Sequence, residues 1–190
     1  RASIEGTSHN TPDEILVGLN NRDPRYSDIY RCNIKTGKLT LVQKNDSYDG
    51  FICDESYTPR IAIQTQPDGS SNVLKADGKG GFAVMDKIPQ TDSLTAHPAG
   101  FDTAGQILYW TDSRNRDTAG LFAQDPATGR MQLLAEDPKA DAGGTLMHPK
   151  TGMVQAVSFN FERERWQILD NDIKVDMDVL QRTAEGDISV

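Results

Sequence analysis

A stretch that begins at Glu14 returns 92 positions later without a gap. Glu14-Ile-Leu-Val-Gly-Leu-Asn-Asn-Arg-Asp-Pro-Arg-Tyr-Ser-Asp-Ile-Tyr30 lies over Gln106-Ile-Leu-Tyr-Trp-Thr-Asp-Ser-Arg-Asn-Arg-Asp-Thr-Ala-Gly-Leu-Phe122. At the same offset Thr36-Gly37-Lys38 meets Thr128-Gly129-Arg130, and Leu41 meets Leu133. Apolar, charged and turn positions all stay in phase. A repeat of this kind pushes a chain toward an array of like units, each burying its apolar face on its neighbour.

Half of the offset is about 46 residues, the length of one four-stranded propeller blade. At that half step a weaker copy is found: Ile15 and Val17 fall on Ile61 and Ile63, with Gln66-Pro-Asp-Gly-Ser70 in place of the charged turn. A fourth copy follows, in which Ala104-Gly105 meets Thr151-Gly152 and Ile107 meets Val154. The spacing predicts four units, near residues 10–48, 49–92, 93–138 and 139–190.

Within each unit the local signals are strands. Ile15–Leu19, Ile61–Ile63, Ile107–Trp110 and Met153–Val157 are short, rich in β-branched or aromatic residues, and bounded by turns. Asp28–Ile34 and Gly120–Gln124 read as partner strands, and Leu39–Val42 and Met131–Leu134 as outer ones. The fold expected is all-β: a partial β-propeller of about four consecutive four-stranded antiparallel blades. One stretch departs from this pattern. Ile173, Met177 and Leu180 share a helical face, so a helix is predicted near 172–183, capped by Asp172 and ended by Gly186, with an untidy strand as the competing reading. It is expected between the third and fourth strands of the last blade.

Twenty basic against 28 acidic residues give a net charge of −8, which repels phosphate backbones and anionic membrane faces. No nucleic-acid or membrane partner is expected. Arg1–Asn10 has no apolar leader, which leans the expectation toward the cytoplasm. Cys32 and Cys53 are too few for a disulfide framework or a metal cage and read as reduced, half-buried thiols.

No catalytic, cofactor or metal site is expected. Gly6-Thr-Ser-His-Asn10 lacks the second glycine of a nucleophile elbow, follows no apolar strand and precedes Pro-Asp rather than a helix. His97 and His148 each precede proline in a loop or turn and read as hydrogen-bonding side chains; His9 completes the set. Asp170, Asp172, Asp176 and Asp178 hint at calcium, but Val175 and Gln181 stand where an EF-hand needs Gly and Glu. Gly80-Gly81 and Gly143-Gly144 read as turns, and Trp110 and Trp166 as packing residues at or near equivalent places in the repeat.

One constellation stands out. The turn after the second strand carries Arg22, Asp23 and Arg25 in the first unit, Arg114, Arg116 and Asp117 in the third, and Glu162, Arg163, Glu164 and Arg165 in the fourth. Hairpin tips are often charged simply because they are wet. The functional alternative is a polar rim facing another domain or a substrate gate, where arginine forks grip carboxylates.

Pro12–Tyr26 with Asp28-Ile-Tyr30, Gly100–Gly105, Asp112-Ser-Arg114, Arg116-Asp-Thr118, Leu134–Asp137, His148-Pro149, Val154–Val157 and Trp166–Asp170 resemble, in order, the propeller of prolyl-oligopeptidase-family serine peptidases. Bacterial dipeptidyl aminopeptidases and acylaminoacyl peptidases are the particular likeness. That resemblance implies a seven- or eight-bladed ring, of which about half is absent here. It also implies a following α/β-hydrolase domain with a Ser-Asp-His triad, absent from this chain. The expected role is non-catalytic: the propeller docks on its own hydrolase domain and gates the access of peptide substrates. A free-standing propeller that binds proteins is the alternative. Self-association through the uncovered flanks of the two end blades is also expected.

Overall fold

The computed structural model describes residues 1–183 and 186–188; the end of the predicted fourth unit at 184, 185, 189 and 190 lies outside the described residues. The chain divides into two compact units, Arg1–Ser93 and Leu94–Val190.

The first unit holds two meandering sheets. One is built from β1 (Ala2–Thr7), β2 (Glu14–Asp23), β3 (Tyr26–Asn33) and β4 (Leu39–Gln43). The other has β5 (Gly50–Cys53), β6 (Pro59–Thr65), β7 (Ser71–Ala76) and β8 (Phe82–Ile88), followed by a 3-10 turn at Gln90–Asp92. Side chains alternate across a strand, so Leu16 and Ile29 point to one face and Val17 and Tyr30 to the other. The Leu16 face is closed by the second sheet: Leu16, Ile29 and Tyr57 form a buried cluster with Val42, Phe51 and Cys53 against it. Tyr57 takes a left-handed conformation and donates its hydroxyl to the Glu14 carbonyl at 2.8 Å, tying the two sheets.

In the second unit, β9 (His97–Phe101), β10 (Leu108–Asp112), β11 (Gly120–Gln124) and β12 (Met131–Ala135) make a four-stranded sheet. Trp110 at its centre is fully buried and donates its indole N–H to Gln124 Oε1 at 3.0 Å, so a large apolar ring is buried without an orphaned donor. Next comes a three-stranded sheet of β13 (Ala142–Met147), β14 (Val154–Phe161) and β15 (Arg163–Ile168). The two join through a cluster of Leu121, Ala135, Ala140, Val157 and Phe159. Tyr109 adds a link, its hydroxyl accepting the Val154 N–H at 3.3 Å.

A 3-10 turn at Asn171–Ile173 leads into α1 (Lys174–Thr183). Among the described residues every strand pair is antiparallel. No helix of the described residues is long and apolar enough to cross a membrane.

Several expectations need correction. The first sheet starts at Ala2, ahead of residue 10, because the polar segment Ala2–Thr7 finds a ladder partner in β2 that its own composition does not announce. The fourth sheet has three strands among the described residues, not four. The helix is led in by Asp170, not Asp172: the Asp170 carboxylate accepts the Asp172 N–H at 3.0 Å. Gly143-Gly144 is not a turn but part of β13, where Gly144 N donates to Ser158 Oγ at 2.9 Å and a Cβ on Gly143 would stand 3.1 Å from that oxygen. His97 opens β9 instead of lying in a loop. Trp166 sits on the third strand of its sheet and Trp110 on the second of its own, so the two are not equivalent in the repeat.

Candidate functional site

Three charged hairpin tips carry the residues picked out in the sequence. At the first, β2 and β3 are joined by a tight turn in which Asp23 pairs with Tyr26 across the ladder. The Arg22 guanidinium reaches back over this hairpin. Its Nε and Nη2 donate to the two oxygens of Asp28 at 2.9 and 2.8 Å, a fork-on-fork pair. Nη1 lies 2.9 Å from Asp46, and Nη2 also meets the Asn45 carbonyl.

Asp28 is buried and accepts the Asn45 N–H at 2.7 Å as well. The Arg22 hydrogen bonds and that N–H hold its carboxyl below the ordinary carboxylate range against the opposing effect of burial. Asn45 then ties the loop, with Nδ2 donating to the Ser27 and Tyr48 carbonyls and Oδ1 accepting the Ser47 and Tyr48 N–H groups. Arg22 is thus a clasp between the hairpin and the connection from β4 to β5. Arg25 folds onto its neighbour Asp23 at 2.9 and 3.1 Å and lowers that carboxyl to about 2.

The second tip, in the other unit, uses its arginines in the same way. Arg114, which occupies the Arg22 place in the repeat, forks onto Asp112, with Nε at 3.0 Å and Nη2 at 2.6 Å, and lies over the Trp110 ring at 5.9 Å. Arg116 pairs with Glu136 in the connection after β12 and stacks on Phe122 at 5.4 Å. A cleft of about 450 Å³ opens beside it, lined by Asn115, Arg116, Asp117, Glu136 and Asp137 among others. Asp117 has no side-chain partner among the described residues.

At the third tip Glu162 alone turns the chain between Phe161 and Arg163, with a left-handed φ of 63°. Arg163 lies 3.7 Å from Asp187. Arg165 is exposed opposite Phe159 and lines a cleft of about 470 Å³ with Trp166 and Gln181. Its guanidinium has no partner among the described residues.

The named residues therefore divide in two. Arg22, Arg114, Arg116 and Arg163 are held by internal carboxylates, and Arg25 is spent on Asp23. Arg165 and Asp117 are open. The sequence reading missed the acidic partners Asp28, Asp46, Asp112, Glu136 and Asp187. An aspartate directly ahead of an apolar strand run, as in Asp28-Ile-Tyr30, is the signal that could have found the first of them.

His148 and His97 have structural partners. Lys150 and Thr151 N–H groups donate to His148 Nδ1 at 3.2 Å, and the Thr111 hydroxyl bonds the His97 ring at 3.3 Å. Cys32 and Cys53 are free thiols, and burial pushes Cys53 up to about 12.

No family model matches the chain. It is 44% identical over its whole length to dipeptidyl aminopeptidase BIII of Pseudoxanthomonas mexicana, and covers 28% of that protein. Dipeptidyl peptidase family member 6 of Caenorhabditis elegans is 23% identical over 88% of the chain, which covers 24% of it. The chain thus spans about a quarter of the length of these curated relatives. Among solved structures, TolB from Acinetobacter baumannii matches 89% of the chain with a TM-score of 0.60 and 12% identity, and the chain covers 41% of it. That likeness is one of fold, and the fold is a β-propeller's.

Proposed function

Since the chain is a β-propeller segment related to the dipeptidyl aminopeptidases, we propose that it serves as a non-catalytic part of a longer serine peptidase of the prolyl-oligopeptidase kind. In that role it docks on an α/β-hydrolase domain carried elsewhere in the protein and restricts which peptides reach it. The carrying observation is the 44% identity that runs through all 190 residues while spanning only 28% of the relative. Such a match leaves room in the longer protein for the chemistry.

The hairpin tips suit a wall better than a grip. Arginine forks already closed on Asp28, Asp112 and Glu136 cannot also take a substrate carboxylate without leaving a partner unpaired, and that costs more than the new contact returns. Selection by exclusion needs only that the wall be stiff. Arg165, whose fork is open, is the residue placed to touch a peptide or the hydrolase domain.

The test compares the 190-residue chain with the longer protein on dipeptidyl chromogenic substrates. The chain alone should show no turnover, and the longer protein should show turnover that a serine-directed phosphonate abolishes. Turnover by the purified chain, abolished by the same phosphonate, would overturn the reading. Within the longer protein, Arg165→Glu should change kcat/KM several-fold for extended peptides and leave the small chromogenic substrate unaffected.

A further inference from the structure

An aspartate followed by glycine is a reactive pair, because glycine has no Cβ to keep its amide nitrogen away from the carboxyl carbon before it. The sequence has three such pairs, Asp49-Gly50, Asp68-Gly69 and Asp77-Gly78. All three lie in or beside the second sheet, and the fold holds them differently.

Gly50 opens β5 and pairs with Ile63 across the ladder, while Asp49 Oδ2 accepts the Thr65 N–H at 2.5 Å. The Asp49 N–H is spent on the Ile63 carbonyl at 2.8 Å, so this peptide cannot turn without opening the ladder. Gly69 is fixed by its own nitrogen, which donates to the Gln66 carbonyl at 2.9 Å, and a Cβ there would stand 2.8 Å from the Gln90 side chain. Asp68 Oδ1 is taken by the Ser70 N–H and hydroxyl.

Asp77 begins the turn between β7 and β8, and residues 77–80 are all exposed. Gly78 has a left-handed φ of +73° and open space where a Cβ would stand. Its N–H has no hydrogen-bond partner among the described residues. Asp77 Oδ1 accepts the Lys79 and Gly81 N–H groups at 2.7 and 2.9 Å, which folds the carboxyl back over the peptide that follows it. A free nitrogen and a carboxyl carbon are thus held side by side.

We propose that Asp77 is a site of spontaneous covalent modification, where the side chain closes a succinimide with Gly78 and reopens as isoaspartate. The Gly78 nitrogen attacks Cγ of the protonated carboxyl. The N–Cγ bond forms, the nitrogen gives up its proton, and one carboxyl oxygen leaves as water. Water then adds to either ring carbonyl. Breaking the N–Cγ bond restores aspartate; breaking the bond from nitrogen to the backbone carbonyl carbon leaves the chain running through Cβ and Cγ. Mass is unchanged and no oxidant or reductant is needed. The new linkage lengthens the turn by one backbone atom and withdraws the carboxylate from the Lys79 and Gly81 N–H groups. Those two N–H groups hold the Asp77 carboxyl below its usual range, and water leaves only from the protonated form. Ring closure is therefore slow at neutral pH and quickens as pH falls.

The folded chain and the same chain in guanidinium chloride, aged side by side for several weeks at about pH 6 and about pH 8, test this. Circular dichroism checks that the first sample stays folded. Cleavage after Lys44, Arg60, Lys75 and Lys79 puts the three pairs on separate peptides. Electron-transfer fragmentation tells the β linkage from the α one, and in heavy-oxygen water each passage through the ring leaves one labelled oxygen. In the folded chain, isoaspartate at Asp77 should exceed that at Asp49 and Asp68 several-fold, and form several-fold faster at the lower pH. The denatured chain should react at all three pairs. Equal yields at the three pairs in the folded chain, or no label at Asp77 while the denatured chain takes it up there, would overturn the proposal.

Discussion

Asp28 shows what a buried carboxylate does when it is fully served. It accepts two hydrogen bonds from Arg22 and one from Asn45, and its pKa is held low. A carboxyl titrating lower in the folded chain than in the unfolded one, near 3.9, contributes stability above about pH 4 and loses it as pH falls through the folded value. Asp28→Asn should therefore destabilise the first unit by about 2–4 kcal/mol at pH 7. The gap to the parent chain should shrink by pH 3, as read by urea denaturation at both values. Arg165 is the contrasting case: with no partner among the described residues, Arg165→Ala should leave the melting temperature unchanged. Sequence alone put these two arginine tips, Arg22 and Arg165, in one class. The Arg22 fork closes on Asp28 of the adjoining strand, with Asp46 added from 24 positions away, and the charge pattern that marks the tips does not tell a closed fork from an open one.

At the scale of elements, turns and strand centres bear the stability. Gly152 has a φ of +64°, and a Cβ there would stand 2.7 Å from Thr103 N, a backbone atom held by its own hydrogen bond to the Thr151 carbonyl. Gly152→Ala should cost about 1–3 kcal/mol, from the left-handed strain together with the clash. Trp110→Ala should cost about 3–5 kcal/mol, since it empties a fully buried site and leaves Gln124 Oε1 without its donor. On α1, Met177 is buried while Val175 and Val179 are exposed, so Met177→Ala should lower the melting temperature and Val175→Ala should not. The repeat made the second strand of every unit legible, and the third and outer strands of the first and third units, because β2 and β10 carry dense β-branched and aromatic runs. It did not reveal β1 or β13. Ala-Ser-Ile-Glu-Gly-Thr and Ala-Gly-Gly-Thr-Leu-Met have weak strand propensity and are held in place by their neighbours. The helix was legible from Ile173 and Met177, but the side-chain cap is Asp170 on the 3-10 turn that leads into it, and Asp170 and Asp172 offer the same chemistry to a sequence reading.

At the scale of the whole molecule, the propeller fold and the kinship with dipeptidyl aminopeptidases were both in the sequence. The repeat carried the fold, and motifs spread along the chain carried the kinship. The fate of each sheet face was not, because the pattern of apolar residues is the same whether or not something covers them. The meander itself has a further consequence, one of timing. In all four sheets each hydrogen-bonded strand is the chain neighbour of the next. Ladder closure therefore needs only short loops, and the entropy lost in closing each is small. A nascent chain can complete its first sheet once Gln43 has cleared the ribosome, without waiting for any later residue. Arrest of synthesis at successive lengths, with protease challenge at each, should then show resistance arriving in steps that match the sheet ends at Gln43, Ile88 and Ala135. A single late step would mean instead that no sheet holds until its neighbour arrives, and that cooperativity resides in the packing between sheets.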